Sequence, residues 1–470
     1  MGHKNKENKK KGNRRLVLCF DGTGNKYRAD ESDTNVVKIY EMLDRKDENQ
    51  FHYYQPGIGT FTTGSSGSAL GFLGRMKARF ETALDQAIGT SFEYHVSKGY
   101  EFLMRYYKPG DHIYVFGFSR GAYTARFLAE MINSVGLLSK GNEEMIRFAF
   151  ATFSECLKAK GDIEKENEKK EYSTSFKSAF CRPDVKVYFL GLFDCVNSVG
   201  QFEIPFKRSS YRNISKPAAL HIRHAVSIHE RRLKFKPSLF LHDPDDPIDF
   251  KEVWFAGNHC DVGGGLEYEH DKQQHLLSDT PLAWMVDEII ALDDDPEAKL
   301  SMNLSSIEQH GHLRAGHKRL MQTNKNPSQC HQVTINARRP HDFLAFGRGA
   351  AWIATIAWWI LEVLPIFTRL ELESGEWVPR YWPPNFGASR DLPEDAVIHP
   401  SVQAMHRANI ISEMPKLGGD EPPILQDPFR LIRAFLPWNM KKPSGIDLLR
   451  KTMKTKTTES HGAHSWMWGE

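Results

Sequence analysis

The chain has 470 residues, of which 26% are charged and 40% hydrophobic; this ordinary globular balance excludes a wholly disordered or wholly membrane-embedded protein. Its length allows one large enzyme core with substantial additions, because single domains usually stop growing at about 250–300 residues. Residues 1–15 carry a net charge of +6, so the rest of the chain carries −3 of the total of +3. The basic charge therefore belongs to a tail, and binding of nucleic acid by the body of the protein is not indicated.

Residues 1–14 are expected to form a basic, disordered tail, with an electrostatic contact to anionic lipid or another polyanion as the alternative. The tail lacks the apolar stretch of a secretory signal peptide, and Lys6 stands where a myristoylation site requires Ser or Thr. The six cysteines include no CxxC pair, which argues against a zinc site and a dense disulfide framework. These features favour a cytoplasmic location. We expect no metal and no cofactor.

Apolar runs alternate with helical patterns over residues 15–290. RLVLCF, which ends at Asp21, predicts a first buried strand, and FHYYQPGIGT predicts a second one closed by Pro and Gly. A helical pattern over 76–107 is followed by the strand HIYVFGF and the helix AYTARFLAEMINSVGLL, and VYFLGLF and EVWFAG predict further strands. This alternation predicts an α/β fold with a mostly parallel sheet and helices on both faces.

Beyond residue 290 the pattern loosens. We expect a helical and irregular region at 291–450 that packs on the core, followed by a flexible tail at 451–470. Within this region, 350–361 is an uninterrupted apolar run, but a membrane span needs about 20 residues, so no transmembrane helix is predicted.

The favoured interpretation of this apolar run is a buried core helix. The alternative is an interfacial helix that acts as a lid or contacts lipid, which its three tryptophans, Trp352, Trp358 and Trp359, would suit.

The motif GFSRG places Ser119 between a predicted strand and a predicted helix. A serine hydroxyl becomes a useful nucleophile when a strained turn exposes it and a base accepts its proton. The start of the following helix adds partial positive charge where an oxyanion would develop. A chain with 35 glycines can produce G-x-S-x-G by chance, but the flanking strand and helix favour a nucleophile.

Two further polar residues follow predicted strands in the order Ser, Asp, His that α/β-hydrolases use. VYFLGLF runs into Asp194, and EVWFAG runs into Asn258 and His259. These strand ends lie at the sheet edge where open parallel sheets build their sites. We therefore expect Ser119 to be the nucleophile, His259 the general base and later general acid, and Asp194 the carboxylate that orients the imidazole.

The oxyanion would be stabilised by two backbone donors. One is the N–H of Arg120, and the other comes from the Gly-rich loop that begins with Asp21, Gly22 and Thr23.

Other residues compete for these roles. Asp261 could be the acid, although its place two residues after His259 suits a turn-holding role better. His399 in IHPSV could be the base if the chain returns to the site, and His229 follows another strand-like run. The acidic stretch 241–250 could bind a hard cation, but its prolines and lack of a turn glycine favour a surface loop.

Several blocks of the chain, in order, resemble the α/β-hydrolase domain shared by bacterial type VI secretion phospholipase effectors and uncharacterised fungal proteins. They are LVLCFDGTGN, TNVVKIYEML, YYQPGIGT, PGDHIYVFGFSRGAYTAR, GLFDCVNSVG and WFAGNHCDVGGG. The similarity covers about residues 15–284, and IHPSV looks like a further block. It implies a lipase or phospholipase fold in which Ser119 matches the nucleophile, and Asp194 and His259 match the blocks that supply its partners.

The expected function is therefore hydrolysis of carboxylic esters, with a lipid or another acyl ester as substrate and a peripheral membrane contact as a further partner. One alternative is a catalytically silent scaffold that keeps the fold, since fold does not imply function. The other is a hydrolase of soluble esters or thioesters. The sequence does not predict an oligomeric state.

Overall fold

A computed structural model describes the chain between residues 13 and 418. Within those limits it leaves out 58–86, 161, 197–217, 241–247, 268–275, 293–295, 304–338, 348, 365–368, 374–375, 381, 383, 412–413 and 416. The expected basic tail up to residue 12, most of the acidic stretch and the C-terminal tail lie outside the described residues.

A seven-stranded sheet forms the centre of the fold. Its strands, in spatial order, are β11 (Val397–Ile398), β8 (Asp249–Phe255), β7 (Ala219–Ser227), β6 (Val187–Phe193), β3 (His112–Phe118), β1 (Arg15–Phe20) and β2 (Gln50–Gln55). Every neighbouring pair is parallel. Two antiparallel pairs lie outside it: β4 (Leu137–Leu138) with β5 (Cys181–Arg182), and β9 (Arg369–Glu373) with β10 (Glu376–Arg380).

The described residues also form α-helices, which are numbered in chain order. They are α1 (Asn35–Met42), α2 (Ala87–Tyr106), α3 (Arg120–Val135), α4 (Ile146–Ala159), α5 (Ile163–Phe180), α6 (His259–Gly263), α7 (Asp279–Ala291), α8 (Trp352–Val363) and α9 (Pro400–Arg407).

Helices cover both faces of the sheet. Successive side chains of a strand point to opposite faces, so Leu16 and Leu18 of β1 pack with α2 and α3, whereas Val17 and Cys19 pack with α1 and α7. Strands buried on both faces need continuous apolar sequence, which explains runs such as RLVLCF. The α/β class expected from the sequence, with its mostly parallel sheet between helical layers, is confirmed.

The order of the strands reverses next to β1. β2 lies on one side of β1, and β3 and all later strands of the sheet lie on the other. Chain segments leave β1 and β3 in opposite directions at such a switch point, which opens a crevice at the carboxyl ends of the strands. The strand ends are in register there, with Phe20 beside Gly117 and Phe118 beside Phe193.

Helix α8 differs from the buried core helix favoured by its composition. Only Thr355, Trp359 and Glu362 of this helix are buried. Apolar composition alone cannot show whether neighbouring elements surround a helix, and here they cover one side of it. Among the described residues, no helix is both long and apolar enough to cross a membrane.

Candidate active site

Ser119 lies on a strained turn between β3 and α3. Its φ of 60° and ψ of −125° are unusual for a residue with a side chain, and strain of this kind collects at functional sites. Both glycines of the motif are required by close packing. A Cβ on Gly117 would lie 2.5 Å from Cα of Ala122, and a Cβ on Gly121 would lie 2.3 Å from the carbonyl oxygen of Phe20. The glycines therefore let α3 start directly against β1 and β3.

A chain of hydrogen bonds connects Ser119 with the two other residues expected at the site. His259 Nε2 lies 2.7 Å from Ser119 Oγ, and His259 Nδ1 lies 2.6 Å from Asp194 Oδ2. All three side chains are buried. His259 is the first residue of α6, which begins with a capping box between Asn258 and Asp261, so the helix start fixes where the imidazole lies.

The electrostatics of the site favour a neutral imidazole. Burial raises the pKa of Asp194, but the Arg390 guanidinium and His259 lower it by more, so Asp194 remains a carboxylate. Burial lowers the pKa of His259 more than the Asp194 carboxylate raises it. Because a carboxylate only accepts hydrogen bonds, His259 carries its proton on Nδ1 and presents the Nε2 lone pair to Ser119.

Aromatic rings enclose the imidazole. The rings of Phe118 and Phe235 each lie 4.7 Å from the His259 ring, measured between centroids. They hold the ring in place and limit the access of water to it.

The loop after β1 is organised around the buried carboxylate of Asp21. This carboxylate accepts hydrogen bonds from the Gly22 N–H at 2.7 Å and from the hydroxyls of Thr34 and Tyr54 at 2.8 Å each. Burial raises its pKa to about 6, although these donors oppose the change. A Cβ on Gly22 would lie 2.8 Å from the Phe118 ring, so the loop packs against the residue before Ser119.

The other residues expected near the oxyanion lie at the same edge of the sheet. Thr23 continues the loop after Gly22. Arg120 is the first residue of α3, whose opening N–H groups have no acceptor within the helix.

The second-choice residues have other partners in the structure. Asp261 accepts a hydrogen bond from the Asn258 N–H at 2.9 Å and contacts His341 Nδ1 at 2.6 Å. His399 accepts from the Ser401 N–H at the start of α9 and so caps that helix. His229 Nδ1 accepts from the backbone of residue 257 at 2.8 Å. Among the residues that the structure describes, no group of three or more His, Cys, Asp or Glu side chains could hold a metal ion.

Sequence reasoning missed two buried charged groups beside His259. Glu230 Oε2 accepts from the His259 N–H at 3.2 Å, and both of its oxygens bind the Arg232 side chain. Burial raises the pKa of Glu230, but Arg232 lowers it by more, to about 2. The second group is Arg390, which binds Asp194. No sequence motif marks Glu230 or Arg390, although Glu230 follows a strand-like run.

Described parts of the C-terminal region pack on the loops that carry the site. Arg231 contacts Asp342 at 2.5 Å and the Gly387 carbonyl at 2.7 Å. The Glu362 carboxylate of α8 accepts from the Leu233 N–H at 2.6 Å. Described residues between 339 and 418 therefore contribute to the surroundings of the site.

A family model described as the catalytic domain of Tle1-like type VI secretion phospholipase effectors matches residues 14–288, which is more than half of the chain. The chain belongs to this family. Membership in the Tle1-like family confirms the resemblance expected from the sequence blocks, and it supports a lipase-like or phospholipase-like hydrolase with a lipid as the class of substrate.

Two similar proteins illustrate how far the likeness extends. An uncharacterised protein of Saccharomyces cerevisiae is 27% identical over an alignment of 552 residues, which covers 82% of this chain and 78% of the yeast protein. This match confirms that the chain has fungal relatives, as the sequence blocks led us to expect. A crystal structure of an uncharacterised Pseudomonas aeruginosa protein matches 62% of this chain at 19% identity with a TM-score of 0.32. The present chain covers 46% of that bacterial protein.

Proposed function

We propose that the protein is a serine hydrolase that cleaves carboxylic esters of lipids through Ser119, His259 and Asp194. The observation that carries the proposal is the hydrogen-bonded chain from Asp194 through His259 to Ser119 Oγ, with distances of 2.6 and 2.7 Å. It ends on a strained turn at the start of a helix, which is the arrangement that activates a serine nucleophile.

The reaction proceeds in two acyl-transfer steps. Ser119 Oγ attacks the ester carbonyl carbon while His259 Nε2 takes the hydroxyl proton. The tetrahedral intermediate collapses, the ester C–O bond breaks, and His259 gives its proton to the leaving alcohol. Water then gives a proton to the same imidazole and attacks the acyl carbonyl carbon; the bond from this carbon to Ser119 Oγ breaks, His259 returns the proton to Oγ, and the fatty acid leaves. Asp194 stabilises the imidazolium that forms in each step.

Backbone donors stabilise the oxyanion of each intermediate. The Arg120 N–H at the start of α3 supplies one hydrogen bond, and the helix start adds partial positive charge. The loop of Asp21, Gly22 and Thr23 supplies the second. The support for this assignment is the hydrogen bonding of the Asp21 carboxylate, which holds the loop against Phe118 beside the nucleophile.

Helix α8 supports a substrate presented in a lipid surface. Four large apolar side chains of this helix are between 47% and 69% exposed: Trp352, Ile353, Ile356 and Ile360. Exposed apolar patches of this kind mark interaction sites for proteins or membranes. The opposite side of α8 reaches the site, because the Trp358 ring lies 5.6 Å from Phe235, whose ring packs on His259. The proposal therefore includes a peripheral membrane contact through α8.

The proposal also includes the domain organisation and location expected from the sequence. The core would comprise 15–290, with the 291–450 region packed on it. Free thiols at five cysteines of the described residues support an intracellular location, where thiols stay reduced.

The test combines an activity-based probe with two kinds of substrate. Wild-type protein is expected to be labelled by a fluorophosphonate and to release fatty acid from phospholipid vesicles faster than from soluble esters. Ser119→Ala is expected to abolish labelling and to lower kcat by about 10⁶-fold. The control is Ser173→Ala, since Ser173 is also buried but binds the Ser134 carbonyl on the helical layer.

Three outcomes would contradict parts of the proposal. Wild-type protein that folds but is not labelled would indicate a silent scaffold. Labelling of Ser119→Ala would place the nucleophile elsewhere. Equal rates on vesicles and soluble esters would point to a hydrolase of soluble substrates.

A further inference from the structure

We infer that Arg390 is a positioning residue of the active site, which holds the Asp194 carboxylate against His259 from outside the matched family domain. The family match ends at residue 288, and Arg390 lies between β10 and β11 in the C-terminal region. The inference rests on the proposed function, because that function assigns the roles of Asp194 and His259.

Both oxygens of the Asp194 carboxylate bind Arg390. Oδ1 accepts from Arg390 Nη1 at 2.7 Å and from the Ser227 N–H at 2.8 Å. Oδ2 accepts from Arg390 Nη2 at 3.1 Å and faces His259 Nδ1 at 2.6 Å. This two-pronged contact leaves the carboxylate little freedom to rotate. The plane of the carboxylate, and hence the direction of its bond to His259, is set by the guanidinium.

Arg390 also connects three segments that surround the imidazole. Besides binding Asp194 at the end of β6, Nη1 donates to the Ser227 carbonyl at 3.0 Å and contacts the Ser227 hydroxyl at 2.7 Å, at the end of β7. Nη2 donates to the Phe235 carbonyl. Because the Phe235 ring packs on His259, one side chain fixes both the carboxylate and a ring that contact the imidazole.

The guanidinium also supplies the charge that Asp194 needs. Asp194 is fully buried, and its resting partner His259 is neutral, so without Arg390 the carboxylate would be an unbalanced charge in the interior. Without the cation, either the carboxylate stays ionised and stabilises the His259 imidazolium, or it takes up a proton. In the first case the pKa of His259 is higher, and in the second case the pKa of Asp194 is higher. Because activity needs both groups deprotonated, the acid limb of the pH profile would move to higher pH in both cases.

Several ionisable groups beside this pair keep one charge state near neutral pH. The pKa of Glu230 is about 2, and Arg232 remains a cation beside it. Burial raises the pKa of the thiols of Cys195 and Cys260 to about 12 each. Burial raises the pKa of Asp21 and of Glu362 to about 6, and the wild type and Arg390→Gln share both titrations. The difference between their acid limbs would therefore report on Asp194 and His259.

The experiment measures the rate constant of fluorophosphonate labelling of the full-length protein between about pH 5 and 9. Arg390→Gln is expected to be labelled roughly 10²-fold more slowly, as for a misplaced catalytic group, with its acid limb at higher pH. Arg390→Lys keeps the charge and is expected to keep the wild-type acid limb at a reduced rate. Arg231→Gln is the matched control, because the Arg231 side chain also binds the C-terminal region but does so through Asp342 and Gly387.

The outcomes separate this inference from the proposed function. An unlabelled wild type would contradict the function itself. A labelled wild type with an unchanged rate and acid limb in Arg390→Gln would overturn the positioning role. The positioning role would also be overturned if Arg390→Gln and Arg231→Gln lost labelling rate to the same extent and both kept the wild-type acid limb. Docking of the C-terminal region alone would then explain the effect. If Arg390→Gln does not fold, an Arg390→Lys rate equal to that of the wild type would refute the two-pronged hold.

Discussion

Replacement of Asp194 by Asn tests the proposed triad, because it keeps the shape of the side chain but exchanges one oxygen for an NH₂ donor. An amide nitrogen at the Oδ1 position would face two fixed donors, the Ser227 N–H and Arg390 Nη1, whereas at the Oδ2 position it would face one, Arg390 Nη2, because the His259 tautomer can change. The amide oxygen therefore takes that position, and the nitrogen faces His259. His259 must then accept at Nδ1 and carry its proton on Nε2, where it cannot accept the proton of Ser119.

The expected loss of activity follows from this change of tautomer. Asp→Asn in a catalytic triad lowers kcat by about 10⁴-fold, which corresponds to roughly 5.5 kcal/mol at 1.36 kcal/mol per factor of ten. Stability falls as well, because the buried Arg390 loses its counter-charge while keeping its backbone acceptors. Removal of one partner of a buried ion pair costs about 3–5 kcal/mol.

The assay compares kcat/KM for a soluble chromogenic ester and the midpoint of urea unfolding. The control is Asp342→Asn, which breaks a similarly buried contact with Arg231 at 2.5 Å but leaves the Asp194 carboxylate intact. It is expected to lose stability and to keep activity near that of the wild type. If Asp194→Asn keeps more than about a tenth of the activity, or if Asp342→Asn loses as much, the tautomer argument is refuted.

Two further predictions concern pH and membranes. Burial raises the pKa of Asp21 from 3.8 to about 6, so its contribution to stability is complete below pH 3.8 and is lost as the pH rises through 6. The free energy of unfolding of Asp21→Asn in urea, relative to that of the wild type, should therefore increase by on the order of 1–3 kcal/mol between pH 4 and 7.5. A difference between the two proteins that does not change with pH would contradict this. Replacing Ile356 and Ile360 by Glu should weaken sedimentation with phospholipid vesicles by more than about tenfold, since each buried Ile contributes roughly 1.5–3 kcal/mol. Leu220→Glu, at a similarly exposed site near the start of β7, should bind like the wild type, and an equal loss in both variants would argue against a specific contact of α8.

The fold could be predicted because its strands carry an unambiguous pattern. A strand buried on both faces needs a continuous apolar run, and RLVLCF and HIYVFGF end at Gly-rich or polar turns that give their limits. The apolar run of α8 carried no such information. Twelve residues rich in Trp and Ile suit a buried helix and an exposed interfacial helix equally, and only the neighbouring elements decide between them.

The place where the three side chains of the candidate site meet could be predicted for a similar reason. Ser119, Asp194 and His259 each follow a strand of one parallel sheet, and topology brings such strand ends to a single edge. Arg390 could not be found in this way. It lies in a stretch without periodicity, and its position depends on how the C-terminal region packs on the core.

The charges around His259 explain why a cation from the C-terminal region suits this site. The buried carboxylates of Asp194 and Glu230 face the guanidinium groups of Arg390 and Arg232, so the fixed charges cancel while the imidazole is neutral. In the proposed reaction the imidazole takes the serine proton, and its new positive charge is matched by the negative charge of the oxyanion. The buried site therefore remains neutral through the reaction and avoids the cost of a net charge in the interior. Loss of Arg390 would break this balance in the resting enzyme, before any substrate binds.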